Sequence, residues 1–284
     1  MSRLYGVFNK PNHLPRNGSG EARSDGQQGL RSNEVEARPP ARHESISTTA
    51  DVEDSSVSTA IKAHFDSQMP VIPHAADSAV VEHYRRLRTK ILQQQATKPF
   101  RTLVVTSPAP QEGKTLTVLN LGLSFAMLPA FRVLLVDGDL RRGSLSACLG
   151  VDQRPGLSNF LDDSAKLEDV ISKYDDNPLH VIGRGDSKIS AGELLQSCQL
   201  KSKFHELAEH FPLVIVDSPP ANLIADVQLL AASCDAVLLI ARAFATTKKA
   251  FEKTVHDVSA FRVLGTVLNG GTRTQSYRRY RGYY

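Results

Sequence analysis

The pattern of apolar and polar positions divides the chain near residue 78. Before that point Ser, Gly, Pro, Arg and Glu dominate, and the apolar residues show no regular spacing. Such a segment buries too little apolar surface to offset the entropy lost on ordering, so we predict that residues 1–77 are disordered. From residue 78 to residue 272, short apolar runs alternate with helical stretches, which indicates one folded domain.

The apolar runs of this domain are short and continuous, and helical segments separate them. This arrangement is typical of βαβ units, in which helices cover both faces of a mostly parallel sheet. The expected strands are Thr102–Thr106, Val133–Asp137, Leu179–Ile182, Leu213–Asp217, Ala236–Ala241 and Val263–Asn269. The expected helices are Ala79–Gln95, Lys114–Met127, Ala191–His210, Ile224–Ala232 and Thr247–Phe261. Such sheets bind ligands beyond the carboxyl ends of their strands, so the polar residues that follow the strands are candidate site residues.

A phosphate-binding loop is the first candidate. Residues 107–115 read Ser-Pro-Ala-Pro-Gln-Glu-Gly-Lys-Thr and join the first apolar strand to a helix, as a Walker A loop does. In such a loop Lys114 reaches the β- and γ-phosphates of ATP, and the Thr115 hydroxyl ligates Mg²⁺. Pro108 stands where the first glycine of the pattern belongs, so the loop alone is equally consistent with a surface turn. The predicted nucleotide contacts are Gln111, Glu112, Gly113, Lys114, Thr115 and Leu116.

Two further strands end in carboxylates. Three apolar residues precede Asp137-Gly138-Asp139, and three more precede Asp217. Mg²⁺ at a nucleotide is held by one or two carboxylates together with phosphate oxygens and water. A single aspartate at the end of a strand is more often a cap or a turn former, but the three elements in this order favour a site. We therefore predict that Mg²⁺ is held by Thr115, Asp139 and Asp217.

These motifs closely resemble those of the bacterial tyrosine kinases of capsule and exopolysaccharide synthesis. That family has a Walker A loop without its first glycine, a second motif matched by Leu134–Arg141 and a Walker B motif matched by Val214–Pro220. The opening Met1–Tyr5 resembles exosortase-associated members. The resemblance implies a P-loop NTPase fold of the MinD/ParA-like (deviant Walker) type, α/β in class. It also implies an ATP-dependent protein tyrosine autokinase that regulates polymerisation and export of the polysaccharide.

The resemblance assigns roles to individual residues. It makes Lys114, Asp137 and Asp139 catalytic, with Asp137 accepting or orienting the tyrosine proton. A water-mediated contact of Asp137 with Mg²⁺ remains the alternative. Asn269 ends the last strand and either contacts adenine or forms a turn. Gln111 stands where many members have glycine, which predicts a loop less free to wrap the β-phosphate.

A helix motif and a terminal tail complete the resemblance. The family's E-x-x-R-x-x-R motif is present as Glu82, Arg85 and Arg88, which are expected to share roughly one helix face. In the family this motif mediates contacts between neighbouring subunits of a ring, so the resemblance implies the same role here. Residues 273–284 form a basic tail with four of the chain's seven tyrosines. In the family such tyrosines are phosphorylated in trans; a tail that binds RNA or anionic lipid is the alternative. The expected phosphorylation sites are Tyr277, Tyr280, Tyr283 and Tyr284.

The net charge and the length of the apolar runs indicate which kinds of partner the chain is expected to have. The formal net charge of +4 equals the four arginines of the tail, so the rest of the chain is neutral and no nucleic-acid partner is expected. No apolar run reaches the length of a membrane span, and the family's membrane half is missing. We therefore expect a cytoplasmic, ring-forming homo-oligomer. A membrane-embedded chain-length (co-polymerase) activator would recruit it to the inner face of the plasma membrane, and a phosphotyrosine phosphatase would act on it.

Two other functions share parts of this pattern. A MinD/ParA-type positioning ATPase carries a second lysine near the start of the Walker A loop. Here that position is Ala109, and no lysine lies between Pro99 and Gly113. A non-catalytic ATP-binding adaptor would not need the full set of Lys114 and the three aspartates. Both alternatives are therefore less favoured than a kinase.

Overall fold

The computed structural model describes residues 4–7, 60–61, 79–174, 178–197, 199–223 and 225–271. The four tyrosines of the tail, and residues 272–284 as a whole, lie outside this part of the chain.

Nine strands form a single sheet within the described residues, in the order β1-β9-β8-β3-β7-β4-β6-β5-β2. The six strands from β9 to β6 in this order are mutually parallel, while β1 and β5 add at the two sides in antiparallel pairs and β2 pairs parallel to β5. The six parallel strands are runs of almost continuous apolar residues, as expected for a sheet buried on both faces. The strands are β1 Leu4–Val7, β2 Ala60–Ile61, β3 Thr102–Thr106, β4 Val133–Asp137, β5 Ile171–Tyr174, β6 Leu179–Ile182, β7 Leu213–Asp217, β8 Ala236–Arg242 and β9 Val263–Asn269.

Helices cover both faces of the sheet. They are α1 Ala79–Thr97, α2 Lys114–Ala126, α3 Ser144–Leu149, α4 Leu157–Leu161, α5 Leu167–Val170, α6 Ala191–Gln196, α7 Leu200–His210, α8 Asp226–Ser233 and α9 Lys248–Asp257. Alternate residues of β3 enter different cores: Leu103 and Val105 pack in the core that contains α1 and α2, and Val104 packs in the core that contains α7 and α8. Because side chains alternate along a strand, one apolar run supplies both layers. The predicted α/β architecture is confirmed.

Several elements differ from the prediction. The stretch Ala191–His210 was expected as one helix, but it forms α6 and α7, because the backbone is extended at Ser197. The disorder expected over residues 1–77 does not hold at Leu4–Val7 and Ala60–Ile61, which pair with β9 and β5. Their order comes from backbone hydrogen bonds to strands that are distant in sequence, which composition does not reveal. Among the described helices, none is both long and apolar enough to cross a bilayer.

Candidate nucleotide-binding and phosphoryl-transfer site

The loop between β3 and α2 takes the conformation of a phosphate-binding loop. Gly113 precedes α2 with φ of 89°, and a Cβ at this position would collide with the side-chain amide of Asn269. Glycine is therefore required there both by backbone conformation and by space. Gln111 also lies in the left-handed region, with φ of 61°. It thus adopts a backbone conformation that glycine would adopt more easily, at some cost in backbone strain.

The end of β8 and the loop that follows it hold this loop in place. The Arg242 guanidinium donates to the carbonyl of Gln111 at 2.7 Å, and the Thr246 hydroxyl donates to the buried Glu112 carboxylate at 2.5 Å. The same carboxylate accepts the amide of Ala109 at 3.2 Å. Sequence reasoning missed Arg242 and Thr246; the available signal was their position after the end of a parallel strand. The side chain of Glu112 therefore fixes the loop, and a nucleotide contact of this residue through its backbone amide stays a prediction.

Thr115 and Asp217 form the centre of the site. The Thr115 hydroxyl donates to Asp217 Oδ2 at 2.6 Å. The other carboxylate oxygen, Oδ1, is buried and has no hydrogen-bond partner in the described part of the protein. Burial raises the pKa of Asp217 to about 7, and the nearby Lys114 ammonium opposes this shift. A buried carboxylate with an unused oxygen is suited to a cation, so these residues fit the Mg²⁺ that the sequence predicts.

Asp137 lies beside Asp217 in the parallel register of β4 and β7. It is completely buried, and its Oδ2 accepts the amide and the hydroxyl of Ser146 at 2.7 and 2.6 Å. Its Oδ1 accepts the amide of Asp139 at 3.2 Å. Burial raises the pKa of Asp137, which makes the carboxylate a stronger base. Ser146 has no place in the sequence motif, although it anchors the first of the two aspartates.

Asp139 is also buried, and its Oδ1 accepts the amide of Arg142 at 3.1 Å. The charge of Asp139 raises the pKa of both Asp137 and Asp217, so the three carboxylates act on one another. The strand ends therefore bring together the predicted Lys114, Thr115 and three aspartates. Of the remaining predicted contacts, Leu116 packs its side chain against the core.

Gly143 follows this turn and directly precedes α3. Its φ of 63° lies in the left-handed region, and a Cβ would collide with the side chain of Arg184. The glycine thus permits Arg184 to lie across the backbone of the turn.

Asn269 lies at the edge of the phosphate-binding loop. Its Nδ2 donates to the carbonyl of Glu112 at 3.0 Å, and its Oδ1 is buried with no hydrogen-bond partner in the described residues. An unpaired buried carbonyl oxygen is costly in the free protein and is suited to accept from a polar ligand. Asn269 therefore lies beside the phosphate-binding loop with a free acceptor, and its contact with adenine stays a prediction.

The three residues of the E-x-x-R-x-x-R motif do not have equivalent surroundings. Arg85 and Arg86 pair with Glu82 at 3.3 and 3.1 Å on the exposed surface of α1. Arg88 instead donates to the carbonyl of Ser124 in α2. The expectation that the motif presents one shared face thus needs correction: the i, i+6 spacing turns Arg88 toward the neighbouring helix.

Similarities to known proteins extend over the folded part. The chain is 33% identical to the tyrosine-protein kinase Ptk of Acinetobacter johnsonii over 71% of its own length, but it spans only 28% of that relative. It is 31% identical to the tyrosine-protein kinase CpsD of Streptococcus pneumoniae serotype 4, covering 66% of this chain and 83% of the relative. No protein-family profile matches the chain.

Solved structures give the same picture. The chimerical protein CapA2B2 matches with a TM-score of 0.66 and 26% identity, covering 72% of this chain and 90% of that one. The kinase domain of the Escherichia coli tyrosine kinase Etk matches with a TM-score of 0.65 and 28% identity, covering 71% and 81%. The cell-division ATPase MinD of Pyrococcus furiosus matches with a TM-score of 0.50 and 25% identity, covering 58% and 70%. The MinD-like P-loop fold is thus confirmed, and the chain belongs to the family of bacterial tyrosine-protein kinases.

Proposed function

We propose that the chain is an ATP-dependent protein tyrosine autokinase that regulates polymerisation and export of a capsule or exopolysaccharide. The tyrosine-protein kinases among its relatives support the activity. One observation carries the assignment to this site: the Thr115–Asp217 pair, with its unused carboxylate oxygen, lies next to Lys114 at the start of α2.

The roles of the residues follow from charge and position. ATP with Mg²⁺ supplies the phosphoryl group and neutralises much of its charge. Lys114 and the amides at the start of α2 hold the phosphates, where the helix terminus adds positive potential. Thr115, Asp139 and Asp217 would hold Mg²⁺, which would neutralise charge on the phosphates. Phosphoryl transfer depends mainly on such positioning and charge neutralisation.

Asp137 is the proposed acceptor of the tyrosine proton. Its raised pKa favours this role, because a stronger base takes a proton more readily. Its complete burial means that the turn from Gly138 to Ser146 must open before a phenol can reach it. Without that movement, Asp137 positions the turn that carries Asp139. Asn269 offers its unpaired Oδ1 to the amino group of adenine.

The proposed substrates are the tail tyrosines of a neighbouring copy: Tyr277, Tyr280, Tyr283 and Tyr284. Neighbours meet in a ring through the exposed surface of α1 that carries Glu82 and Arg85. The family resemblance supports a cytoplasmic protein. It also supports recruitment to the inner face of the plasma membrane by a membrane-embedded chain-length activator, and dephosphorylation by a phosphotyrosine phosphatase.

Replacement of Lys114 by Met tests the assignment to this site. The variant keeps the aliphatic stem and loses the charge, so phosphotyrosine should disappear while the fold remains intact. Lys201→Met on the exposed side of α7 is the matched control and should retain phosphotyrosine. Tail phosphorylation at the wild-type level in Lys114→Met contradicts the proposal.

A further inference from the structure

Helix α1 has two faces with different environments. Val81, Tyr84 and Ile91 are buried in the core that α1 shares with α2. Glu82 and Arg85 lie on the exposed surface and pair with each other. Because protein interiors are closely packed, a small displacement of an amphipathic helix at its charged face also displaces the elements that its apolar face contacts. For α1 that contact is α2, the helix that begins with Lys114.

The buried tyrosine of α1 connects to the phosphate-binding loop. Tyr84 is 2% exposed, and its phenol forms hydrogen bonds with the side chains of Thr117 and Asn120. The Thr117 hydroxyl donates to the carbonyl of Gly113 at 2.8 Å. A hydroxyl has a single proton, so Thr117 accepts from Tyr84. Two consecutive hydrogen bonds therefore run from α1 through Thr117 to the glycine that precedes Lys114.

Arg88 provides a second connection at the other end of α2. Its guanidinium donates to the carbonyl of Ser124, in the last turn of that helix. Tyr84 reaches the first turn of α2, and Arg88 reaches the last. These contacts fix α2 to α1 along its length, so α2 cannot shift relative to α1 without breaking a buried polar contact, which is costly.

We propose that Tyr84 is a positioning residue that couples helix α1 to the phosphate-binding loop, so that a neighbour docked on the outer face of α1 raises the affinity for Mg-ATP. The coupling rests on the assembly through α1 that is part of the proposed function. By linkage, bound nucleotide strengthens the assembly to the same extent. The ring would thus form in its nucleotide-loaded state.

Tyr84→Phe tests the coupling, because it removes only the hydroxyl. Affinity for a fluorescent ATP analogue with Mg²⁺ is measured at protein concentrations below and above assembly, as determined by light scattering. Wild type should bind more tightly when assembled. Tyr84→Phe should bind about fivefold more weakly, the effect of losing one hydrogen bond, and its affinity should no longer depend on assembly. Tyr174→Phe is the matched control, a buried tyrosine on β5 that should behave as wild type.

A double-mutant cycle separates coupling from a general loss of stability. The two hydrogen bonds that join Tyr84 through Thr117 to Gly113 form a relay, and Thr117→Val removes both of them. Combining it with Tyr84→Phe should therefore weaken nucleotide binding no further than Thr117→Val alone. Additive effects on affinity overturn the relay. If the nucleotide affinity of Tyr84→Phe depends on protein concentration as strongly as that of wild type, the coupling through Tyr84 is overturned and the proposed ring is not. A wild-type mass and affinity that do not change with concentration overturn the coupling and the proposed ring together.

Discussion

At the scale of single residues, the buried carboxylate of Asp217 makes the stability of the free protein depend on pH. Its pKa is about 7 in the folded chain, against an ordinary value of 3.8. Between these values the folded state holds more protons than the unfolded state, so the free energy of unfolding falls as the pH rises from about 4 to about 7. When no cation is bound, the buried charge of Asp217 therefore lowers the free energy of unfolding at neutral pH.

Asp217→Asn should remove this cost. Without Mg²⁺ or nucleotide, we expect the variant to be more stable than wild type at pH 7.5 by on the order of 1 to 3 kcal/mol, with a flatter dependence on pH. Urea unfolding at pH 4.5 and 7.5 measures both. Asp235→Asn is the control with the opposite expected effect. Backbone amides lower the pKa of Asp235, so loss of its carboxylate should decrease the free energy of unfolding. An unchanged pH slope in Asp217→Asn contradicts the account.

The left-handed residue Gln111 gives a second test. Its contact with Arg242 uses the backbone carbonyl, so the side chain is not needed to hold the loop. Gln111→Gly should relieve the strain and raise the free energy of unfolding by about 0.5 to 1 kcal/mol. Affinity for Mg-ATP should stay within about twofold, since the loop amides keep their places. Ala130→Gly, at φ of 56° in an exposed turn, is the control for strain alone. A large loss of affinity in Gln111→Gly shows that the side chain contacts the nucleotide.

Residues that follow predicted strands could be located from the sequence, because parallel strands bring their carboxyl ends to one edge. That reasoning found Asp137 and Asp217. It did not reach Ser146, whose contact with Asp137 depends on the path of the turn, and for Thr246 the position after a parallel strand did not show which residue it would contact. Nor could it show that Glu112 turns toward Thr246, since loop spacing does not fix the direction of a side chain.

Among the secondary-structure elements, α1 offers a test, because mutations on its buried and exposed sides should have different effects. Arg88→Ala removes the contact with Ser124 and should lower the free energy of unfolding by about 1 to 2 kcal/mol. Arg85→Ala removes an exposed ion pair worth less than about 0.5 kcal/mol, and should instead reduce assembly. Urea unfolding and light scattering measure the two effects. Equal destabilisation by both changes is inconsistent with the structural difference between them.

The strands buried on both faces were the most predictable elements, because their continuous apolar runs have few other uses. Leu4–Val7 and Ala60–Ile61 were not predicted, since each depends on pairing with a distant strand at a sheet edge. The boundary between α6 and α7 was also missed. The residues around Ser197 carry neither proline nor glycine, so no helix-breaking residue marks this boundary.

At the scale of the whole molecule, the charge of the tail opposes that of the site. Residues 272–284 carry +4, whereas three carboxylates line the site. Each phosphate adds about −1.5 to −2, so three phosphates change the tail to roughly −0.5 to −2. We therefore expect the unmodified tail to be attracted to a neighbour's site and the phosphorylated tail to be released from it.

Variants of the four tail tyrosines test this switch. Phe at all four positions keeps the aromatic rings and the positive charge, so it should retain the assembled state, whereas Glu at all four should disperse it. Light scattering with Mg-ATP compares both with wild type. The same distribution of masses in all three proteins shows that the tail is a substrate without effect on assembly.

Transfer between two molecules is the most direct test of the central claim, that the Lys114 site of one copy phosphorylates the tail of another. Lys114→Met supplies tail tyrosines without activity, and the variant with four Phe supplies activity without tail tyrosines. The two are produced with different tags in the native host from which the gene for the wild-type protein has been deleted, separately and together, and phosphotyrosine on each is mapped by mass spectrometry. The account predicts phosphotyrosine in the tail of Lys114→Met only when both variants are present. Phosphotyrosine in that tail without its partner, or its absence from the mixture while wild type is phosphorylated, contradicts the account.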